Sequence, residues 1–274
     1  MSYTFVDYAW FFLIYAFLGW CTEVAYKAVT SGKFVNRGFL LGPLCPIYGF
    51  GMILLLIIFQ PIKDNVLLLF FGAIIITSAL EFITGYILEK VFHHKWWDYS
   101  DVPFNIKGYI CLKFSLAWGL AAVFVIHIVH PSVEKFVSFM NHPPGHLVLA
   151  ILFASLIADV IVTVLGIMKI KKRLRLLDDI AKKLKASSDE LGINIYKGVS
   201  TAIKTTSQVK HKLKVSKTEL EAAIEKRKEY LAELRNKYEK LLKEKNFVHK
   251  HLERAYPRIK ERLAKLERHR RHKK

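Results

Sequence analysis

Val66-Leu67-Leu68-Leu69-Phe70-Phe71-Gly72-Ala73-Ile74-Ile75-Ile76-Thr77-Ser78-Ala79-Leu80-Glu81 runs from one turn of helix to the next without a charge until its last residue. It lies inside an apolar segment over 65–91, and four more such segments flank it, at 5–29, 43–60, 108–130 and 146–168. A helix needs about 20 residues, rising 1.5 Å each, to cross a hydrocarbon core of about 30 Å. The second segment is short, and the first and third are long enough to tilt or protrude. Five apolar segments in succession with almost no polar stripe point to lipid as the solvent rather than to a soluble bundle. The expected fold is all-α: a polytopic bundle of five membrane spans with a cytoplasmic basic coiled-coil tail.

Charge divides the chain at Met168. Residues 1–168 carry nine Lys/Arg and nine Asp/Glu, so the whole formal charge of +19 belongs to 169–274. Two domains are expected, 1–168 in the membrane and 169–274 outside it. Within the first, Lys27, Lys33 and Arg37 lie in one connection and Lys90, Lys95 and Lys107 in another, while the alternate turns hold only Lys63 and Lys135. The excess of basic residues marks the cytoplasmic side, which places the N-terminus outside and the tail inside. Cys21, Cys45 and Cys111 have no metal-ligand or CxxC spacing and form no disulfide framework. No cleavable signal peptide is expected, because the N-terminal apolar run lacks a basic preface and reaches membrane length.

Acidic residues inside the apolar segments are the first candidates for function. Glu81 lies nine residues before Lys90 and Asp159 ten before Lys169, about 13 Å and about 15 Å from their helix ends at the α-helical rise. Glu81, Gly85 and Glu89 share one helix face, and Glu23 sits near the end of the first segment. A charged carboxylate near mid-bilayer costs on the order of 3 kcal/mol, so such groups face protein or a water-filled cavity. Lys113 and Arg37 are the available counter-charges. A structural ion pair, a protonated Glu bonded across helices and a transport pathway all remain open from the residues.

Two connections carry dense motifs. Asn36-Arg37-Gly38-Phe39-Leu40-Leu41-Gly42-Pro43-Leu44-Cys45-Pro46-Ile47-Tyr48-Gly49-Phe50-Gly51 puts a fixed cation before a helix start. Pro43 suits the first helical position and Pro46 the first turn. Gly49 and Gly51 leave bare backbone for a neighbouring helix, and Arg37 with the free amides of the helix end could hold an anion. In the other connection, Trp96-Trp97-Asp98-Tyr99-Ser100 is followed by Pro103-Phe104-Asn105. Paired Trp and a Tyr form an interfacial belt, yet this order of residues exceeds what anchoring needs. The adjacent His93 and His94 project about 100° apart on a helix, so no metal site is expected there. No nucleophile–base pairing and no Walker A sequence occur, and neither an enzyme activity nor a bound cofactor is expected. A membrane enzyme would have only Glu23, Glu81 and Asp98 for acid–base work.

The run Tyr15-Ala16-Phe17-Leu18-Gly19-Trp20 with Glu23 and Tyr26, then Asn36-Arg37-Gly38-Phe39-Leu40 and Gly42-Pro43-Leu44-Cys45-Pro46-Ile47-Tyr48-Gly49, resembles the bacterial type-IV ABC-transporter permease family (CmpB-like). Glu81, Glu89, Trp96-Trp97-Asp98-Tyr99-Ser100 and Gly108-Tyr109-Ile110-Cys111-Leu112 continue the likeness in order. It covers about 5–168 and leaves the tail outside. The resemblance implies a transport subunit in a bacterial cell membrane, driven by a separate nucleotide-binding ATPase. No substrate or residue roles come with it.

The tail opens with Lys169-Ile170-Lys171-Lys172-Arg173-Leu174-Arg175, a basic cluster suited to anionic lipid. Gly192 to Gly198 is expected to interrupt the helix. From Leu220, Ile224, Arg227, Leu231, Leu234, Tyr238, Leu241, Lys245, Val248 and Leu252 form a heptad seam, expected to pair with itself or a partner helix. A stutter beside Pro257 is expected to bend it. Nucleic acid is a weaker candidate partner, since no base-reading motif accompanies the charge. Two readings follow: a permease subunit in which Glu23, Asn36, Arg37, Glu81, Glu89, Trp96, Trp97, Asp98, Tyr99 and Asn105 line a polar cavity behind the helix-start motif Gly42, Pro43, Pro46 and Gly49, or a membrane-anchored scaffold that binds through its tail.

Overall fold

The structure is a computed structural model describing residues 3–32, 36, 38–92, 95–204, 210–243 and 251. Its helices are α1 (Phe5–Ser31), α2 (Pro46–Phe59), α3 (Val66–Phe92), α4 (Leu112–Phe124), α5 (His130–Met140), α6 (Pro143–Lys204) and α7 (Lys210–Lys243). A 3-10 turn, Gln60–Ile62, extends α2, and a π-helical turn, Val125–Val129, joins α4 to α5. Strands β1 (Asn105–Ile106) and β2 (Ile110–Cys111) pair antiparallel between α3 and α4. The chain divides into two compact units, Met1–Met168 joined by His251, and a second that begins at Lys169.

In the first unit, α1 starts on a capping box. Thr4 N–H donates to Asp7 at 2.8 Å, and the Asp7 N–H returns a bond to Thr4 Oγ1. Such a cap contributes about 1 kcal/mol. The helix ends at Gly32, whose left-handed φ of 64° lets its N–H reach the Ala28 carbonyl. Helix α1 packs on α2 and α3 on α4. The first contact is close because Gly49 has no side chain: a Cβ there would stand 2.6 Å from the Phe12 carbonyl oxygen. Small residues replace the hydrophobic effect as the cause of tight packing where lipid tails are as apolar as leucine. Phe11, Leu56, Leu69 and Val137 fill the centre. Leu67, Phe71 and Ile75 on α3, and Ile151, Ile161 and Leu165 on α6, point outward, as a lipid-facing surface requires.

Four continuous helical stretches among the described residues are long and apolar enough to cross a membrane: Phe5–Ser31, Val66–Phe92, Leu112–Met140 and Pro143–Ser187. The second apolar segment forms Pro46–Ile62, whose α-helical part has 14 residues and so rises about 21 Å, short of the hydrocarbon core. The fourth segment does not stop at His130. Helix continues through the π turn to Met140, with Pro131 directly after that irregular turn.

The second unit is a helical pair. Leu177 and Ile180 of α6 are buried with Tyr238 of α7, and Ala181, Leu184, Leu234 and Leu241 pack around them. Arg173 donates to the Leu241 carbonyl of α7. Three positions of the expected seam, Leu234, Tyr238 and Leu241, thus find their partner helix within the same chain. The expected break at Gly192–Gly198 does not occur, as α6 runs unbroken to Lys204; a helical glycine costs only about 1 kcal/mol. Lys245, Val248, Leu252 and Pro257 lie outside the described residues. Leu177 is fully buried, so Leu177→Ala should destabilise this pair by about 2–5 kcal/mol. Limited proteolysis in detergent should then cut 169–243 faster while the membrane half stays protected.

Candidate polar site of the membrane unit

Glu81, Gly85 and Glu89 do form one face of α3, and the segment 95–111 folds back over it. Trp97 Nε1 donates to the Tyr109 carbonyl at 2.8 Å. Both rings lie on Gly85, where a Cβ would meet Tyr109 Cδ1 at 3.0 Å and Trp97 Cζ2 at 3.2 Å. The fold of this cover comes from a few short polar side chains. Asp98 accepts from Ser100 N–H at 3.1 Å and Oγ at 2.5 Å and pairs with Lys95 at 3.4 Å. Asn105 donates to the Val102 and Ser100 carbonyls and accepts from Gly108 N–H. Lys107 and Gly108 turn the hairpin with φ of 52° and 73°. A Cβ on Gly108 would also strike Asp98 and Ser100 at 2.5 Å, so glycine is required twice over at this position.

The carboxylates find tyrosines rather than cations. Tyr99 OH donates to Glu81 Oε1 at 3.1 Å, Tyr109 OH to Glu89 Oε2 at 2.8 Å, and Tyr48 OH to Glu23 Oε1 at 2.8 Å. Tyr48 is seated by a close approach: its ring covers Gly19, where any Cβ would clash with Tyr48 Cγ. Tyr99 is held by stacking on Phe114, ring centroids 4.9 Å apart. Burial and the Glu81 carboxylate push the Tyr99 phenol well above its usual range, so it remains a donor. Glu23 and Glu81 lie within electrostatic reach of each other, as do Tyr48 and Tyr99. Glu81 is only 8% exposed, and its Oε2 has no hydrogen-bond partner among the described residues. Lys113, a counter-charge expected from the sequence, is exposed and makes no ion pair among those residues. Arg37, His93 and His94 lie outside the described residues.

The helix-start motif differs from expectation. Helix α2 begins at Pro46, with Cys45 as N-cap at φ −117°, the extended backbone that a following proline imposes. Pro43 stays in the preceding bend. Asn36 ties this bend together: its Oδ1 accepts from Trp20 Nε1 at 2.9 Å and Gly38 N–H at 3.0 Å, and its Nδ2 donates to the Leu41 carbonyl at 2.8 Å. The ring of Trp96 packs on Phe39 and Phe92. An acidic side chain of the chain itself sits at this bend, on amides that precede the helix start rather than on those of its first turn. Asp159 of α6 accepts from Leu41 N–H at 3.1 Å, Gly42 N–H at 2.8 Å and Thr163 Oγ1 at 3.1 Å. A Cβ on Gly42 would lie 2.8 Å from Asp159 Oδ2.

Of the expected site residues, then, Glu23 and Glu81 come together with Tyr99. Glu89 and Trp97 adjoin them along α3, while Asn36, Asp98 and Asn105 build the two connections. Tyr48 and Tyr109 complete the arrangement without having been expected in it, and Asp159, a candidate from its depth in the last apolar segment, ties down the neighbouring bend. Asp159→Ala should leave two loop amides without their acceptor, at about 1–3 kcal/mol, and Gly42→Ala should push the same carboxylate away. Both should lower the detergent Tm, and Asp159→Asn, which keeps an acceptor oxygen, should lower it less.

A family model described as "Putative ABC-transporter type IV" matches residues 10–164. That interval holds α1 from Trp10 onward, α2 to α5, most of the apolar part of α6 and every contact of the polar site described above. No curated protein and no solved structure matches the chain. With more than half of its length inside the match, the chain belongs to the family described as "Putative ABC-transporter type IV".

Proposed function

We propose that this protein is the permease subunit of an ABC transporter, moving a substrate through the membrane unit with energy from a separate ATPase. In this reading the short helix Pro46–Ile62 is a fifth span completing the bundle, the N-terminus is outside and the tail is cytoplasmic. The observation that carries it is the Glu23–Tyr48 and Glu81–Tyr99 pair of contacts. Two carboxylates held within reach of each other inside an apolar bundle cost several kcal/mol. Packing alone would be served better by apolar residues. Glu81 Oε2, with no partner among the described residues, is the atom that a substrate would meet. Glu89, Trp97 and the 95–111 cover form the wall of this site, and Arg37, which lies outside the described residues, is the counter-charge that the sequence offers.

The basic tail supports a second reading, a membrane-anchored scaffold. All +19 of the formal charge falls in 169–274, an excess that suits an anionic partner. Anionic lipid at 169–175 fits the cluster directly; nucleic acid would add a steep salt dependence.

Glu81→Gln and Arg37→Gln separate a pathway from a structural lock. A pathway predicts a Tm within a few degrees of wild type with loss of the cellular phenotype. If both variants melt early and every functional loss follows the loss of folded protein, the site is structural. For the orientation, single cysteines at Asp64 and Asn141, in a background lacking Cys21, Cys45 and Cys111, should label in intact cells with a membrane-impermeant maleimide. One at Ser100 should label only after lysis; labelling of Ser100 alone in intact cells contradicts the five-span arrangement.

A further inference from the structure

Glu81 Oε2 needs a donor that the described chain does not supply. The side chain is 8% exposed, and this oxygen is buried without a hydrogen-bond partner among the described residues. Its other oxygen already accepts from Tyr99. The neighbouring hydroxyls are committed elsewhere. Tyr48 donates to Glu23, Ser78 and Ser115 bond each other across α3 and α4 at 2.7 Å, and Thr77 donates to the Ala73 carbonyl at 2.7 Å. The charged group within electrostatic reach of Glu81 is a second carboxylate, Glu23, and neither takes part in an ion pair among the described residues. A buried acceptor left bare is costly, and more so when it carries charge.

A proton by itself does not satisfy this atom. On Oε2 it would exchange an acceptor without a donor for a donor without an acceptor, and on Oε1 it would leave Oε2 as bare as before. A metal ion fits no better. Calcium, for example, takes about six to eight oxygens, and the described residues contain no group of three or more acidic, His or Cys side chains that could hold a metal. An anion would meet two carboxylates. A group with N–H donors and a positive charge fits. A primary ammonium has such donors, and it pairs with a carboxyl equally well as ammonium with carboxylate or as amine with carboxylic acid. The walls suit it too. Tyr48 stands edge-on to Trp118 with centroids 5.5 Å apart, and Tyr99 stacks on Phe114; aromatic rings attract an ammonium that has shed its water.

We propose that Glu81 and Glu23 bind the primary amine group of a small organic molecule, with one N–H directed to Glu81 Oε2 and the second carboxyl group balancing the charge. Tyr99 and Tyr48 are then positioning residues: each holds one oxygen of its carboxyl group and leaves the other for the ligand. The inference rests on the transport reading only in calling this molecule a substrate; the binding itself stands on the unpartnered oxygen of Glu81.

The test is the Tm of the full-length protein in detergent with methylammonium or butylammonium chloride, against sodium chloride and tetramethylammonium chloride at equal ionic strength. Tetramethylammonium has the charge of the two primary amines but no N–H. A primary amine should raise the Tm by a few degrees as the site fills, and the two control salts should not. Glu81→Gln should abolish the rise. Glu134→Gln, at a carboxylate that Tyr3 holds away from this site, should keep it. Glu23→Gln should weaken it and gives the reading if Glu81→Gln does not fold. No rise with either primary amine beyond the control salts, or an equal rise in a folded Glu81→Gln protein, would overturn the proposal. The transport reading is judged separately, by whether an ATPase subunit co-purifies. Amine binding without that subunit upholds the site and removes the transport role, and the subunit without amine binding does the reverse.

Discussion

The constraint behind this membrane unit is that a carboxylate in an apolar bundle must be given a donor. Four acidic side chains inside the apolar segments meet it by hydrogen bonds and none by an ion pair among the described residues. Glu23, Glu81 and Glu89 each take a tyrosine hydroxyl, and Asp159 takes two backbone amides and a threonine. Each donor lies on a different element from its acceptor, apart from Thr163. The same bonds that satisfy the carboxylates therefore fix α2 against α1, the 95–111 cover against α3, and the 38–43 bend against α6. A neutral hydroxyl suits this task because it leaves no second charge to desolvate.

Glycine makes these contacts fit. Tyr48 reaches Glu23 only because Gly19 offers no Cβ, and the cover lies so close on Gly85 that a Cβ there would press on Tyr109 and Trp97. Gly42 gives Asp159 its place in the bend in the same way. Polar chemistry and close packing are thus one arrangement: a methyl group at any of the three positions would displace the donor or acceptor that answers a buried charge.

Much of this was legible in the sequence, in proportion to how local each feature is. Five apolar segments appear as helices at nearly the expected places, since a run such as Val66–Phe92 has one low-energy form in lipid. The shared face of Glu81, Gly85 and Glu89 follows from helical geometry, and the motif residues Asn36, Asp98 and Asn105 do lie where the connections are most ordered. What stayed hidden depends on contacts between distant parts. Nothing near Asp159 in sequence reveals that Leu41 and Gly42 will be its partners, more than a hundred residues away. Charge patterns suggested Lys113 for Glu81, whereas the partner is Tyr99, whose hydroxyl carries no charge to be noticed. In the tail, the heptad spacing predicted a partner helix but could not say that Leu177 and Ile180 of the same chain would provide it. The length of α6 was missed because a lone glycine penalty is smaller than the stability of a long continuous helix.

Whether the polar site serves transport is tested most directly by what the protein carries with it. Purified in mild detergent from its native membrane, the full-length chain should bring a nucleotide-hydrolysing subunit in constant proportion, as quantified by mass spectrometry. That subunit should remain when the chain is truncated after Lys204. Recovery of tail-dependent partners alone, all lost on that truncation, would contradict a permease role and leave the membrane unit as an anchor.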